Sequence, residues 1–374
     1  MSTTFFTFSV FGAGKRATIT GNNGLYVSEG VTVGSTDDYA IAAGGSNISI
    51  QVDGTLYGDL GGLTVTGCTH MVVEIGENGG MGADLTSGSA MNLTDFGGRI
   101  ENGGDLIGWH AIQFLGDTDA EVSNFGAMST KSEAVLIDGA ATGTVTFFNY
   151  GSMTADDSSS DVYDSRGNTR DQVINSGVMN GGVNLGDKND TFFGALAKPA
   201  DVGQLSILAQ LEGIRGKIAC FVNGGDGNDL MYGSKYIDYL IGGSGRDFVS
   251  AGDGNDIVVG YTGPDILSGG KGYDRFMYLS ATDSHGSKVD RVTDFQAKYD
   301  QFDFNPIDAN TLKNKDQAFH FIGAHHFSDK PGELRFEFQH GDTIVLGNTD
   351  HDHQAELAVR VEGHISLHAD DFIL

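Results

Sequence analysis

From Gly224 to Met277 one nine-residue unit is repeated six times without a gap, as GGDGNDLMY, GSKYIDYLI, GGSGRDFVS, AGDGNDIVV, GYTGPDILS and GGKGYDRFM. The glycine-rich half of each unit must turn sharply with its carbonyls pointing inward, and glycine reaches φ > 0 without steric cost. The sixth position is aspartate in every unit: Asp229, Asp238, Asp247, Asp256, Asp265 and Asp274. The last three residues form a short strand with one apolar side chain turned to the core, namely Met231, Leu240, Val249, Val258, Leu267 and Phe276. Calcium prefers six to eight oxygen ligands at about 2.3–2.6 Å, which carbonyls plus one carboxylate per turn can supply. A merely flexible linker would not keep aspartate and an apolar residue in fixed places through six copies.

The nonapeptide resembles the calcium-binding repeat of RTX proteins. That resemblance implies a right-handed β-roll in which two units make one coil. Alternate turns then stack on the same side, with an ion between them. Carried over, Asp229, Asp247 and Asp265 line one edge, and Asp238, Asp256 and Asp274 line the other. The implied ligand sets draw on the first, third, fifth and sixth positions. They are Gly224, Asp226, Asn228 and Asp229; Gly242, Ser244, Arg246 and Asp247; Ala251, Asp253, Asn255 and Asp256; Gly260, Thr262, Pro264 and Asp265; and Gly269, Lys271, Tyr273 and Asp274. Asp226 and Asp253 could add side-chain ligands. The second unit departs from the pattern, with Ser234, Lys235 and Tyr236 in the turn, which leaves Asp238 the poorest ligand. A degenerate copy, LGDKNDTFF from Leu185 to Phe193, adds Asp187 and Asp190.

Composition agrees with this reading. Fifty acidic residues against 22 basic give a formal charge of −28, which argues against nucleic acid or an anionic membrane as partner. It favours divalent cations, and carboxylate self-repulsion is expected to keep the array disordered until calcium neutralises it. Glycine supplies 57 of the 374 residues, a large share, yet hydrophobic residues still make up 39%. A core can therefore be buried. Only Cys68 and Cys220 are present, so no disulfide framework holds the fold. In MSTTFFTFSVFGAGKR the basic residues follow the short apolar run, the wrong order for a signal peptide. No apolar run is long enough to span a membrane.

Beyond the repeats, DRVTDFQAKYDQFDFNPIDAN (Asp290 to Asn310), FIGAHHFSDKPGELRFEF (Phe321 to Phe338) and the ending SLHADDFIL resemble the carboxyl-terminal domain of serralysin-type secreted metalloproteases. The resemblance covers roughly Leu185 to Leu374. It implies an uncleaved type I secretion signal ending in Asp371, Phe372, Ile373 and Leu374, and an ABC exporter as partner. The same residues also suit a strand that completes a sheet. Around Asn348 histidines stand where related domains carry glycines, which argues against a further ion there. The protease half of the comparison is missing. No H-E-x-x-H motif occurs, and His70 and His110 alone do not make a three-ligand zinc site.

The first half carries another periodicity, of about 25 residues. A glycine with an apolar residue two places on recurs at Gly54/Leu56, Gly79/Met81, Gly104/Leu106, Gly126/Met128, Gly151/Met153 and Gly177/Met179, with Gly30/Thr32 as a weaker member. Four places before each glycine stands Tyr26, Ile50, Ile75, Ile100, Val122, Phe147 or Val173. Side chains alternate along a strand, so these positions share a face with Asn102, Asn124, Asn149 and Asn175. Asparagines stacked coil on coil can satisfy one another. The pattern is similar to autotransporter- and adhesin-type parallel β-helices, with about seven coils. The register is open near Glu77, where a slip to Asn78 is the alternative. Lys198 to Ile214 reads either as a short helix or as a loop, and Ala155 to Asp171 as a projecting loop.

The expected protein is all-β: a right-handed parallel β-helix over 1–182, a calcium-binding β-roll over 183–277 with an insertion at 195–221, and a β-rich cap over 278–374. The function expected is non-enzymatic. It is a calcium-binding, type I secreted, extracellular component, structural, surface-associated or adhesive, with cell-surface polysaccharide or self-association as further partners. The alternative is a secreted polysaccharide lyase or epimerase working on the β-helix surface. Its candidate residues are Asp156, Asp157, Asp161, Tyr163 and Asp164, or Trp109 with His110.

Overall fold

The computed structural model describes residues 2–156, 161–194, 218–313, 316–328 and 330–374. They fall into two compact units, one within Met1–Lys188 and one comprising Cys220–Leu374 with described residues of Asn189–Ala195.

The first unit is a parallel β-helix. One face is an eight-stranded parallel sheet running from Val10–Gly12 to Val178–Asn180, one strand per coil. The described residues thus make eight coils where the glycine markers suggest about seven. The additional coil, formed by Thr3–Phe6, Val10–Gly12 and Ala17–Thr20, lacks the marker glycine. Inside this face one apolar column stacks through all coils: Val10, Val33, Leu56, Met81, Leu106, Met128, Met153 and Met179. A second column, on the face that precedes it in each coil, is Leu25, Ile50, Val73, Ile100, Val122, Phe147 and Val173. All seven are buried.

Three expected positions move. Leu25 takes the place assigned to Tyr26, Val73 that of Ile75, and Val33 that of Thr32. Outward loops and the placement of Gly30 explain them. The second and fourth coils each loop two extra residues outward, closed by hydrogen bonds from Val31 N–H to the Ser28 carbonyl and from Gly79 N–H to the Gly76 carbonyl. Counting back four from Gly79 therefore lands two residues late; in the second coil Gly30 precedes the register position by one, so the count lands one residue late at Tyr26 and one early at Thr32. Glu77 and Asn78, the alternatives for one inward position, are both exposed at this turn. Gly30 lies at a turn tip, and Val31 is the buried residue in register with Gly54. The loop expected over Ala155 to Asp171 also gives way, because Asp161–Ser165 and Asn168–Asn175 are strands that continue the coils. The segment Lys198 to Ile214 lies outside the described residues.

The asparagine ladder is present and buried. Asn102 Nδ2 donates to Asn124 Oδ1 (2.8 Å), Asn124 to Asn149 (2.9 Å) and Asn149 to Asn175 (2.9 Å). In the earlier coils the same column is filled by Val27, Val52 and Ile75. Beside it the marker glycines stack. A Cβ on Gly126 would sit 2.0 Å from the Gly104 carbonyl oxygen, and one on Gly151 2.0 Å from that of Gly126. Asn124→Ala removes a donor and an acceptor from the buried ladder and leaves a hole. Its expected cost is about 2–4 kcal/mol, read as a lower urea midpoint.

The second unit is a β-roll whose two sheets run on into the carboxyl-terminal region. Strands pair at a spacing of two nonapeptides, so two units make one coil. One core column is Phe192, Met231, Val249, Leu267, Val292 and Val361. The other is Leu240, Val258, Phe276, Phe302 and Phe372. Both columns cross residue 277, so the repeats and the last hundred residues share one core. Glu333–Gln339, Asp342–Asn348 and Leu357–Val361 add an antiparallel meander. Phe372 packs against the rings of Phe302, Phe304 and Phe321, with centroid distances of 4.9–6.0 Å.

Candidate metal centre

Each glycine-rich turn of the roll delivers its aspartate to the inside. Asp229, Asp238, Asp247, Asp256, Asp265 and Asp274 are all at most 2% exposed. They form two ladders, each at one edge of the roll. Asp190 N–H donates to Asp229 Oδ1 (2.8 Å), Asp229 N–H to Asp247 Oδ1 (2.8 Å), Asp247 N–H to Asp265 Oδ1 (2.8 Å) and Asp265 N–H to Asp290 Oδ1 (2.9 Å). On the other edge the bonds run from Asp238 to Asp256 (2.9 Å), from Asp256 to Asp274 (2.9 Å) and from Asp274 to Asp300 (3.1 Å).

One oxygen of each carboxylate is thereby used, and the other is left over. The Oδ2 atoms of Asp229, Asp247, Asp256, Asp265, Asp274 and Asp290 are buried with no hydrogen-bond partner. Those of Asp229, Asp247, Asp265 and Asp274 lie close to the first residue of their own unit: an added Cβ on Gly224, Gly242, Gly260 or Gly269 would come within 2.4–2.7 Å of the facing Oδ2. Burying an ionised carboxylate without a counter-charge is costly, so the donor set fits a divalent cation. Asp238 differs, because its Oδ2 accepts the Ser234 N–H at 2.5 Å. Ser234 is one of the residues that break the pattern of the second unit.

Other expected ligands are placed less favourably. Among the third positions, Asp226, Ser244, Asp253, Thr262 and Lys271 are exposed, and the Asp253 carboxylate pairs with Lys271 Nζ at 3.1 Å. Their side chains point to solvent, so only their carbonyls remain as candidate ligands. At the fifth position Asn228, Arg246, Asn255 and Tyr273 are exposed and Pro264 half-buried. There the structure shows a device the sequence reading missed. Asn228 Oδ1 accepts the Arg246 N–H (2.7 Å), and Asn255 Oδ1 the Tyr273 N–H (3.0 Å), forming an outer ladder that braces the turns. Asp190 belongs to the first aspartate ladder, whereas Asp187 is exposed. Asp290 and Asp300 were also missed as ladder members. They stand outside the nonapeptide register, and only the strand Asp290–Val292 and the turn before Gln301–Asp303 bring them into line.

Burial pushes these carboxyls up: Asp256 to about 9, Asp229 and Asp274 to about 7, and Asp247 to about 6. Asp265 and Asp290 face each other, and both are raised, first by burial and then by neighbouring carboxylates. A raised folded-state value means that the folded roll binds protons more tightly than the unfolded chain. Without metal, this stabilisation is complete below the unfolded value near 3.8 and fades as pH climbs through about 6 to about 9. Urea midpoints of metal-free protein are expected to fall between pH 5 and pH 9. Saturating calcium should reverse the slope, since ligand carboxyls must lose protons to bind.

Elsewhere in the second unit, the carboxylate oxygens of Asp350, Asp352 and Glu356 approach within 4.8 Å of one another. At the carboxyl end Asp371 is buried, its Oδ1 accepting the Lys298 N–H (3.0 Å) and its Oδ2 the His368 N–H (2.7 Å).

In the first unit His110 from one set of enzymatic candidates and Asp161 and Asp164 from the other lie in one cluster. Arg166 bridges Asp164 (2.5 Å) and Glu133 (2.6 Å), and Glu133 lies 3.8 Å from His110 Nε2. Asp161 is raised to about 6, by burial first and then by Asp164 and Glu133. Burial lowers His110. Asp156 instead pairs with Lys131 on the surface, Tyr163 is fully buried, and Asp157 lies outside the described residues.

Among the described residues no helix is long and apolar enough to cross a membrane, and both cysteines are free buried thiols. No curated protein matches the chain. The AlgE6R3 subunit of the mannuronan C5-epimerase from Azotobacter vinelandii is 26% identical, over 40% of this chain and 80% of that chain, with a TM-score of 0.31. Residues 221–374 match the family model described as the peptidase M10 serralysin C terminal. This part of the chain folds as a β-roll and is similar to the serralysin carboxyl-terminal domain.

Proposed function

We propose that the chain is a calcium-binding extracellular protein exported by a type I system, whose second unit folds when calcium fills the two aspartate ladders. The observation that carries this reading is the set of buried Oδ2 atoms without partners. They make the metal-free roll a high-energy arrangement and give a divalent ion its anionic ligands, with carbonyls of the turns completing the shell. The ion would supply charge neutralisation and crosslink successive coils. Extracellular calcium modules bind at about 10⁻⁴–10⁻³ M, so order follows the calcium outside the cell. Asp371 and Phe372 are packed in the folded domain. An exporter can read them only before folding, which fits a chain kept unfolded inside. The role outside is structural, surface-associated or adhesive rather than enzymatic.

Limited proteolysis of the full chain tests this. With chelator, cleavage should fall throughout 221–374, and millimolar calcium should protect that region. Equal protection in both conditions would refute the reading.

The cluster of His110, Glu133, Asp161, Asp164 and Arg166 favours a second reading, a secreted lyase or epimerase acting on polysaccharide. Incubation with acidic polysaccharides should then yield unsaturated chain ends or an altered epimer ratio, and His110→Ala should abolish either product. An inert wild-type protein would leave the structural reading standing.

A further inference from the structure

The outer surface of the β-helix carries a cavity of about 580 Å³. Its lining includes Gln51, Asp53, Glu74, Glu77, Glu101 and Phe125, which come from successive coils. The two-residue outward loop of the fourth coil, which displaced the expected register, is what raises Glu77 as a lip. Asp53 is held in place by the Tyr26 hydroxyl (2.9 Å) and the Gln51 amide (3.4 Å). Arg99 pairs with Glu101, while neither Glu74 nor Glu77 has an ion-pair partner among the described residues. The cavity therefore keeps a net negative charge.

At one end the lining reaches Phe125, the first ring of an aromatic row. Phe125 stacks on Tyr150 at 4.9 Å with planes 8° apart, and Tyr150 on Phe148 at 6.3 Å with planes 4° apart. Phe125 and Tyr150 remain 57% and 45% exposed. Stacking covers the Phe125 face turned to Tyr150 and leaves the other part of this exposed ring beside the row of carboxylates.

We propose that this groove binds a polysaccharide of amino sugars with free amines. The apolar face of a pyranose ring would lie on Phe125, which Tyr150 backs, and the ammonium groups would meet Asp53, Glu74 and Glu77. Flat apolar contact with aromatic rings and charge-assisted hydrogen bonds to carboxylates are the two interactions the groove supplies. A uronate polymer is repelled by the same carboxylates. An N-acetylated or neutral glycan makes no ionic use of them. Coils repeat about every 4.8 Å along the axis, so an extended chain running parallel to it can use groups from several coils. The proposal rests on the extracellular reading only for access to such a glycan. It is independent of the calcium sites, which lie in the other unit.

The test is calorimetric titration of the full chain, once in calcium and once in chelator. The probes are a glucosamine hexamer, its N-acetylated form, a galacturonate hexamer and hexalysine. The glucosamine hexamer should bind saturably in both conditions, so that loss of the calcium reading would not remove it. N-acetylated and galacturonate probes should bind at least about tenfold more weakly. Phe125→Ala should weaken glucosamine binding by about tenfold and leave hexalysine unchanged, because the ring meets only the sugar. The double variant Glu74→Gln, Glu77→Gln should weaken both. These three side chains are exposed, and unchanged circular dichroism would show that the fold survives. Absence of saturable binding, indifference to Phe125→Ala, or discrimination no better than hexalysine shows would overturn the proposal.

Discussion

Chelation of the full chain is expected to abolish cooperative unfolding of the second unit while the β-helix keeps its own transition. The β-helix core is apolar columns and a neutral asparagine ladder bonded coil to coil, and none of these needs an ion. The roll instead places carboxylates on both edges with one oxygen each unanswered. A site filled to about 100 times its Kd stabilises by about 2.7 kcal/mol, so several sites reach on the order of 10 kcal/mol. That is comparable to the whole stability of a typical domain, about 5–15 kcal/mol. Calorimetry at rising calcium should show one transition moving by tens of degrees and another that stays. Two transitions both indifferent to chelator would mean that the buried carboxylates are held some other way.

The second large effect changes sign with calcium. Asp256 is the most strongly raised of the ladder carboxyls that are not part of a facing pair, at about 9, and its Oδ2 has no partner. Asp256→Asn keeps an acceptor for the Asp238 N–H but removes a carboxyl that the metal-free fold must either protonate or bury as a charge. In chelator the variant is expected to be more stable than the parent at pH 8. In saturating calcium it is expected to be less stable, by about 3 kcal/mol, because a ligand charge has been deleted. A purely structural aspartate would give a loss under both conditions. Urea unfolding with and without calcium reads the difference directly.

The roll was largely legible in the sequence because its period is rigid. A nine-residue unit leaves no room for insertion, so Met231, Leu240, Val249, Val258, Leu267 and Phe276 are all buried columns. The β-helix was legible more coarsely. Gly104, Gly126, Gly151 and Gly177 must be glycine because the carbonyl of the coil beneath leaves no space for a Cβ, and that requirement marks the chain once per coil. Where a coil loops out two residues, as at Glu77 and Asn78, the glycine keeps its place but the strand before it slides. Val73 was therefore missed, and Leu25 was missed because Gly30 stands one residue off the register that Val31 fills. Asp290 and Asp300 were hidden for a related reason: they reach the ladders from longer connections at 25 and 26 residues, where the array itself steps by 18. The gathering of His110 with Glu133, Asp161, Asp164 and Arg166 was not legible, because it depends on which outward positions of three different coils align.

Crystals of the full chain grown in millimolar calcium, with anomalous scattering used to place the ions, give the most direct test of calcium in the ladders. Ions are expected at both edges of the roll, within about 2.3–2.6 Å of Oδ2 of Asp229, Asp247, Asp256, Asp265 and Asp274. The contrary result is those oxygens in contact only with protein or water while calcium is abundant.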